Sequence, residues 1–155
     1  MATYEAVNAA VTAIVAAVNT QIALIAPING ISILVCEGPP GTYEPDDMVV
    51  IAEHIAHTAQ PHQIIGTGSF GWLLEEFRVS VTVDVYRGGD DAATVRSRCL
   101  TLANAVDTAI RVDPSLAGSV FVAWPVEHRY ESSFDPDNKG RRMTCEIAIL
   151  CRAVP

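Results

Sequence analysis

The first 77 residues contain neither lysine nor arginine. Eight carboxylates fall in the same stretch (Glu5, Glu37, Glu44, Asp46, Asp47, Glu53, Glu75 and Glu76), so the whole formal charge of −8 arises there. From Arg78 onward ten basic residues balance ten acidic ones. A half-chain without cations is unsuited to phosphate backbones and points to a subunit with one acidic surface. C-x-x-C pairs are also missing. Cys36, Cys99, Cys145 and Cys151 stand alone in apolar periodic segments, where a thiol acts as a small hydrophobe and a reducing compartment fits best. The apolar first 28 residues lack a basic leader region, which argues against a signal peptide. Asn8, Thr12, Asn19, Thr20 and Gln21 interrupt that run too often for a membrane span. There is no internal repeat and no interdomain linker. A chain of 155 residues, half of them hydrophobic, makes one domain over residues 1–155 that buries about 70% of its surface.

Periodicity supplies the elements. Tyr4, Val7, Val11, Ile14, Val15, Val18, Ile22 and Ile25 recur at a 3.6-residue period and predict an N-terminal helix. Its other side is mostly alanine (Ala6, Ala9, Ala10, Ala13, Ala16, Ala17), which lets another backbone approach and suits packing on two sides, one of them another subunit. Pro27 and Asn29-Gly30 end it. Ile31 to Glu37 reads as a short strand, residues 38–47 as a loop, and Met48 to Glu53 as a second strand. His54 to Trp72 reads as irregular. Strict alternation from about Glu75 to Arg87 predicts a long strand that closes at Gly88-Gly89. Asp90 or Asp91 then caps a second helix whose buried stripe is Val95, Cys99, Leu102, Val106 and Ile110, with Asp113-Pro114 as its stop. Ser119 to Glu131 and Arg141 to Ala153 form a closing hairpin around SSFDPDNKG, and Pro125 demands an edge position or a bulge. The order α-β-β-β-α-β-β is that of an α+β domain, a mainly antiparallel sheet packed with two helices.

Four patterns invite chemistry. Gly66, Gly68 and Gly71 have the G-x-G-x-x-G spacing, but the fingerprint requires a strand leading in and a helix leading out. Here a strand follows, so the segment reads as a loop feeding that strand. His54, His57 and His62 lie close together and make a small metal-dependent enzyme the alternative from a different functional class. Asp135, Asp137, Gly140 and Glu146 match positions 1, 3, 6 and 12 of a calcium loop, yet Lys139 puts a cation at position 5 and the flanks are strands. Ser69 has Gly71 after it but Thr67 before it and misses the nucleophile elbow. The adjacent carboxylate pairs on strands point to opposite faces. No catalytic, cofactor or metal site is therefore expected.

The stretch EEFRVSVTVDVYRGGDDAATVRSRCLTLANAVDTAIRVDPSLAGSVFVAW combines a long alternating strand, a Gly-Gly-Asp turn and a helix with Arg96-x-Arg98 near its start. A final strand then ends in the apolar, arginine-bearing Cys151-Arg152-Ala153-Val154. This pattern, over roughly residues 70–155, resembles the tail terminator proteins of long-tailed phages of actinobacterial hosts. The resemblance implies a ring, generally of six copies, on the head-proximal end of the tail tube. Such a ring ends tube polymerisation and presents a docking surface to the head. It implies as partners other copies of the chain, the tail tube protein and a head-closure or neck protein, with a virion location, cytoplasmic assembly, no cofactor and no membrane. DNA would pass through the ring without specific binding. A head-closure or neck connector subunit is the nearest alternative. Candidate assembly-interface residues are Arg78 and Asp84 on the long strand, with Asp135, Asp137, Lys139, Arg141 and Arg142 around the hairpin turn.

Overall fold

A computed structural model describes residues 3–60 and 74–153. Two helices and five strands alternate in the expected order: α1 (Thr3–Ile22), β1 (Leu34–Glu37), β2 (Asp47–Gln60), β3 (Leu74–Gly88), α2 (Ala92–Val112), β4 (Val122–Asp135) and β5 (Gly140–Ala153). The strands make one sheet in the order β1-β2-β3-β5-β4. Every neighbouring pair is antiparallel except β1 with β2. This is the α+β class read from the sequence.

The alternation of β3 sets the layers. Phe77, Val79, Val81, Val83 and Val85 are buried, while the intervening Arg78, Ser80, Thr82, Asp84 and Tyr86 lie on the other face. Met143, Cys145, Ile147, Ile149 and Cys151 of β5 extend the same apolar face. Both helices contribute to this core. All five residues of the expected α2 stripe are buried, and Asp91 caps the helix by accepting from the Thr94 amide at 3.1 Å. At the other end, Asp113 accepts from the Ser115 and Ala117 amides at 3.1 and 2.7 Å, turning the chain out of the helix. No described helix is long and apolar enough to cross a membrane.

Two expectations change. The alanine side of α1 is not all available to another subunit, because Ala6 and Ala10 are buried in the same core cluster as Ala103, Ala105 and Ala109 of α2. The second strand does not stop at Glu53. It continues to Gln60, pairing Ile55–Gln60 with Val79–Leu74 after a bulge between Ile51 and Ile55. Ala52 within that bulge has a φ of 59°. The bulge breaks the alternation, and Ile55, Ala56 and His57 beyond it are all exposed, so no alternation of buried and exposed residues marks a strand there. Ladder bonds to β3 hold the extension instead. Pro125 is accommodated in both ways available to it: β4 is an edge strand, and its register shifts between Pro125 and Glu127.

Candidate functional site

The β4–β5 hairpin places its turn beside the outer face of β3. Asp135 organises the turn by accepting from the Asp137 amide at 3.0 Å, the Asn138 amide at 3.3 Å and the Asn138 side chain at 2.6 Å. These bonds, the Asn138 side chain first, hold its pKa below the ordinary carboxylate value. The Tyr86 hydroxyl donates to the Asn138 carbonyl at 3.4 Å, and the Gly89 amide donates to the Lys139 carbonyl at 2.7 Å. A turn rich in Ser, Asp, Asn, Lys and Gly is thus tied to the β3–α2 corner, more firmly than its lack of apolar surface suggests.

Six of the seven candidate interface residues lie around this corner. Arg141 donates to Asp90 at 2.7 Å, and its guanidinium lies 5.0 Å from the Phe134 ring centroid. Arg142 lies 3.3 Å from Asp84 and 5.9 Å from the Tyr86 centroid. Asp135 organises the adjoining turn. Asp137 and Lys139 project from the turn, both exposed. Arg78 is not part of the group: it is exposed six residues along β3 from Asp84, roughly 20 Å at strand rise.

Between the hairpin, β3 and the loop before β2 opens a cleft of about 730 Å³. Glu44, Asp46, Asp84 and Asp135 line it with Met48 and Arg142. Burial pushes the Asp84 pKa up; Arg142 opposes that shift and Glu44 adds to it. The acidic half-chain therefore supplies one wall of a cleft whose other wall comes from the charge-balanced half.

Of the sequence patterns that invited chemistry, only the calcium-like loop lies wholly within the described residues, and it does not assemble. His54 and His57 are both exposed on β2, and the His54 amide donates to Ser80 at 2.9 Å as part of the bulge. His62, Gly66, Gly68, Ser69 and Gly71 lie outside the described residues. Glu146 sits on β5 opposite Thr82 and Arg129, roughly 20 Å along the strand from Gly140, so the calcium pattern does not close. Among the described residues no three His, Cys, Asp or Glu side chains converge as a metal would require. The thiols are free. Burial pushes Cys99 up to about 12, Cys145 to about 11 and Cys151 to about 12, which leaves them protonated and unreactive.

One group was missed by sequence reasoning. Asp47, at the start of β2, receives Arg98 of α2 at 2.9 Å and Arg87 of β3 at 2.7 Å. Arg98 also donates to the Ala26 carbonyl at 3.0 Å. The Arg87 contact is an ion pair without hydrogen-bond alignment. A signal existed: Arg98 falls between Val95, Cys99 and Leu102 on the buried side of α2, where a charge needs a partner.

No protein-family model matches the chain, and no curated protein does. A solved chain described as "Virion of native gene transfer agent (GTA) particle" is similar at 14% identity, covering 91% of this chain and 94% of that chain with a TM-score of 0.38.

Proposed function

We propose that the chain is a non-enzymatic structural subunit of a phage virion, a tail terminator that caps the head-proximal end of the tail tube. In this role copies assemble into a ring, end tube polymerisation and present a head-joining surface. The tube protein and a neck protein are its partners, and the virion tail is its location. The reading rests on the sequence resemblance over residues 70–155. The observation that carries it in the fold is the hairpin corner, where Arg141, Arg142, Asp84 and Asp135 form a charged, polar surface tied to the β3–α2 corner. A subunit whose work is docking needs such a surface rather than reacting groups. Six copies at −8 each total −48, a charge that disfavours retention of DNA in a lumen.

Electron microscopy of the purified protein mixed with tail tubes tests this. Rings seated at one end of each tube are the expected result. Tubes that continue to lengthen, with no added density at either end, would count against it.

A further inference from the structure

The outer strand of the sheet has an open edge. β4 pairs only with β5, and every residue from Val126 to Phe134 is exposed. The Ala123 amide donates to the Pro114 carbonyl at 2.7 Å, but beyond it the backbone edge of β4 meets no partner among the described residues. Natural edges are blunted by brevity, by charged side chains that repel a partner strand (lysine above all), by proline or by bulges. Here Pro125 and its bulge guard only the first part of the strand, and Glu127 to Asp135 pairs regularly with β5 and contains neither lysine nor proline. The exposed segment also carries Val126, Tyr130 and Phe134, which are 39%, 45% and 45% exposed.

The side chains along this edge are complementary to themselves. Glu127, Arg129 and Glu131 alternate on one face, opposite Ala148, Glu146 and Thr144 of β5; Tyr130 lies on the other, opposite Cys145. We propose that the β4 edge pairs antiparallel with β4 of a second copy of this chain, about a two-fold axis at Tyr130. Directly opposed residues in such a pair share a face and interact. This register sets each Arg129 opposite Glu131 of the second copy, Tyr130 opposite its equivalent, His128 opposite Ser132, and Val126 opposite Phe134. An axis at Arg129 would oppose two guanidiniums. An axis at Glu131 would oppose two carboxylates and set Glu127 against Asp135. Axes at His128 or Ser132 shorten the ladder, the first by drawing in the Pro125 bulge and the second by running into the hairpin turn. The pairing is a closed, isologous contact, so it joins two free copies or two rings face to face and is separate from the rotational contacts between neighbours within the proposed ring.

Sedimentation velocity over a range of concentrations reads the outcome. The wild-type chain is expected to show a dimeric unit. Arg129→Glu and Glu131→Arg each turn two opposite-charge pairs into two like-charge pairs and are expected to weaken association about tenfold. The double variant R129E/E131R restores opposite charges in the same register and is expected to recover it. Both positions lie on an exposed surface, and circular dichroism checks that each of the three variants folds. A wild-type chain that stays monomeric, an oligomer indifferent to both single substitutions, or a double variant no better than the singles overturns the pairing. Rings on tubes formed by the single variants would leave the tail-cap reading standing, so the two proposals fail separately.

Discussion

Asp47 and Arg98 stand 51 residues apart in sequence and meet at 2.9 Å, joining the start of β2 to the first turns of α2. Arg87 reaches the same carboxylate from the end of β3, and Arg98 extends to the chain that follows α1. Four segments are therefore held by one acidic side chain that is 6% exposed. Removing it strands two guanidiniums that are 17% and 12% exposed. Asp47→Asn is expected to destabilise the fold by about 3 kcal/mol, since breaking a buried ion pair costs far more than the pair contributes against an apolar replacement. Urea unfolding measures this. A loss under about 0.5 kcal/mol, the range of ordinary surface substitutions, would show that water satisfies both arginines.

A second expectation concerns the hairpin turn. A Cβ built on Gly140 would lie 2.1 Å from the Tyr86 hydroxyl, so the ring must leave its place over the turn. Gly140→Ala is expected to cost about 1–3 kcal/mol from overpacking. Most of that loss should vanish in a Tyr86→Ser background, where no ring is displaced, and a double-mutant cycle reports the coupling. Additive effects would mean that the clash is relieved elsewhere.

How much of this was legible in the sequence depends on what kind of signal each element carries. The β3 alternation and the α2 stripe were plain because one face of each is buried along its whole length, so periodicity and burial coincide. The far half of β2 was not, because it is held by ladder bonds to β3, and backbone pairing leaves no mark on side-chain pattern. The hairpin charges were identified from composition, but their partners were not. Asp84 with Arg142 and Asp90 with Arg141 meet only because β3 and β5 run antiparallel in one register, with Asp84 opposite Thr144 and Arg87 opposite Arg141. Arg78 shows the converse. It shares a strand with Asp84 and belongs to a different region of the surface.

The acid limb of stability should depend on Asp113. The Ser115 hydroxyl, then the Ala117 amide, lower its pKa in the folded chain. A depressed carboxylate contributes stability above its unfolded value, about 4, and loses it as pH falls through the folded value. Asp113→Asn should therefore flatten the fall in melting temperature below about pH 4. Asp84 acts with the opposite sign, because burial raises its pKa and ionisation above that value costs stability. An unchanged acid slope in the Asp113 variant would contradict the assignment.

Thiol reactivity offers a check on the core. Cys99, Cys145 and Cys151 are each 0% exposed, whereas Cys36 lies part-buried on β1. Titration of the native protein with a disulfide reagent near pH 8 should modify Cys36 first and the other three only on unfolding. Prompt modification of two or more thiols would show that the sheet and α2 separate readily.

The most direct measurement of the proposed role is the length of tails made by phage lacking this gene. Loss of a tube cap leaves initiation and elongation intact, so filled heads and separate tails should accumulate, with tubes running past the normal stop. Adding the purified protein should cap such tubes and permit head joining. Normal-length tails already attached to heads would contradict the terminator reading, and normal-length tails beside emptied heads would point to a neck connector instead.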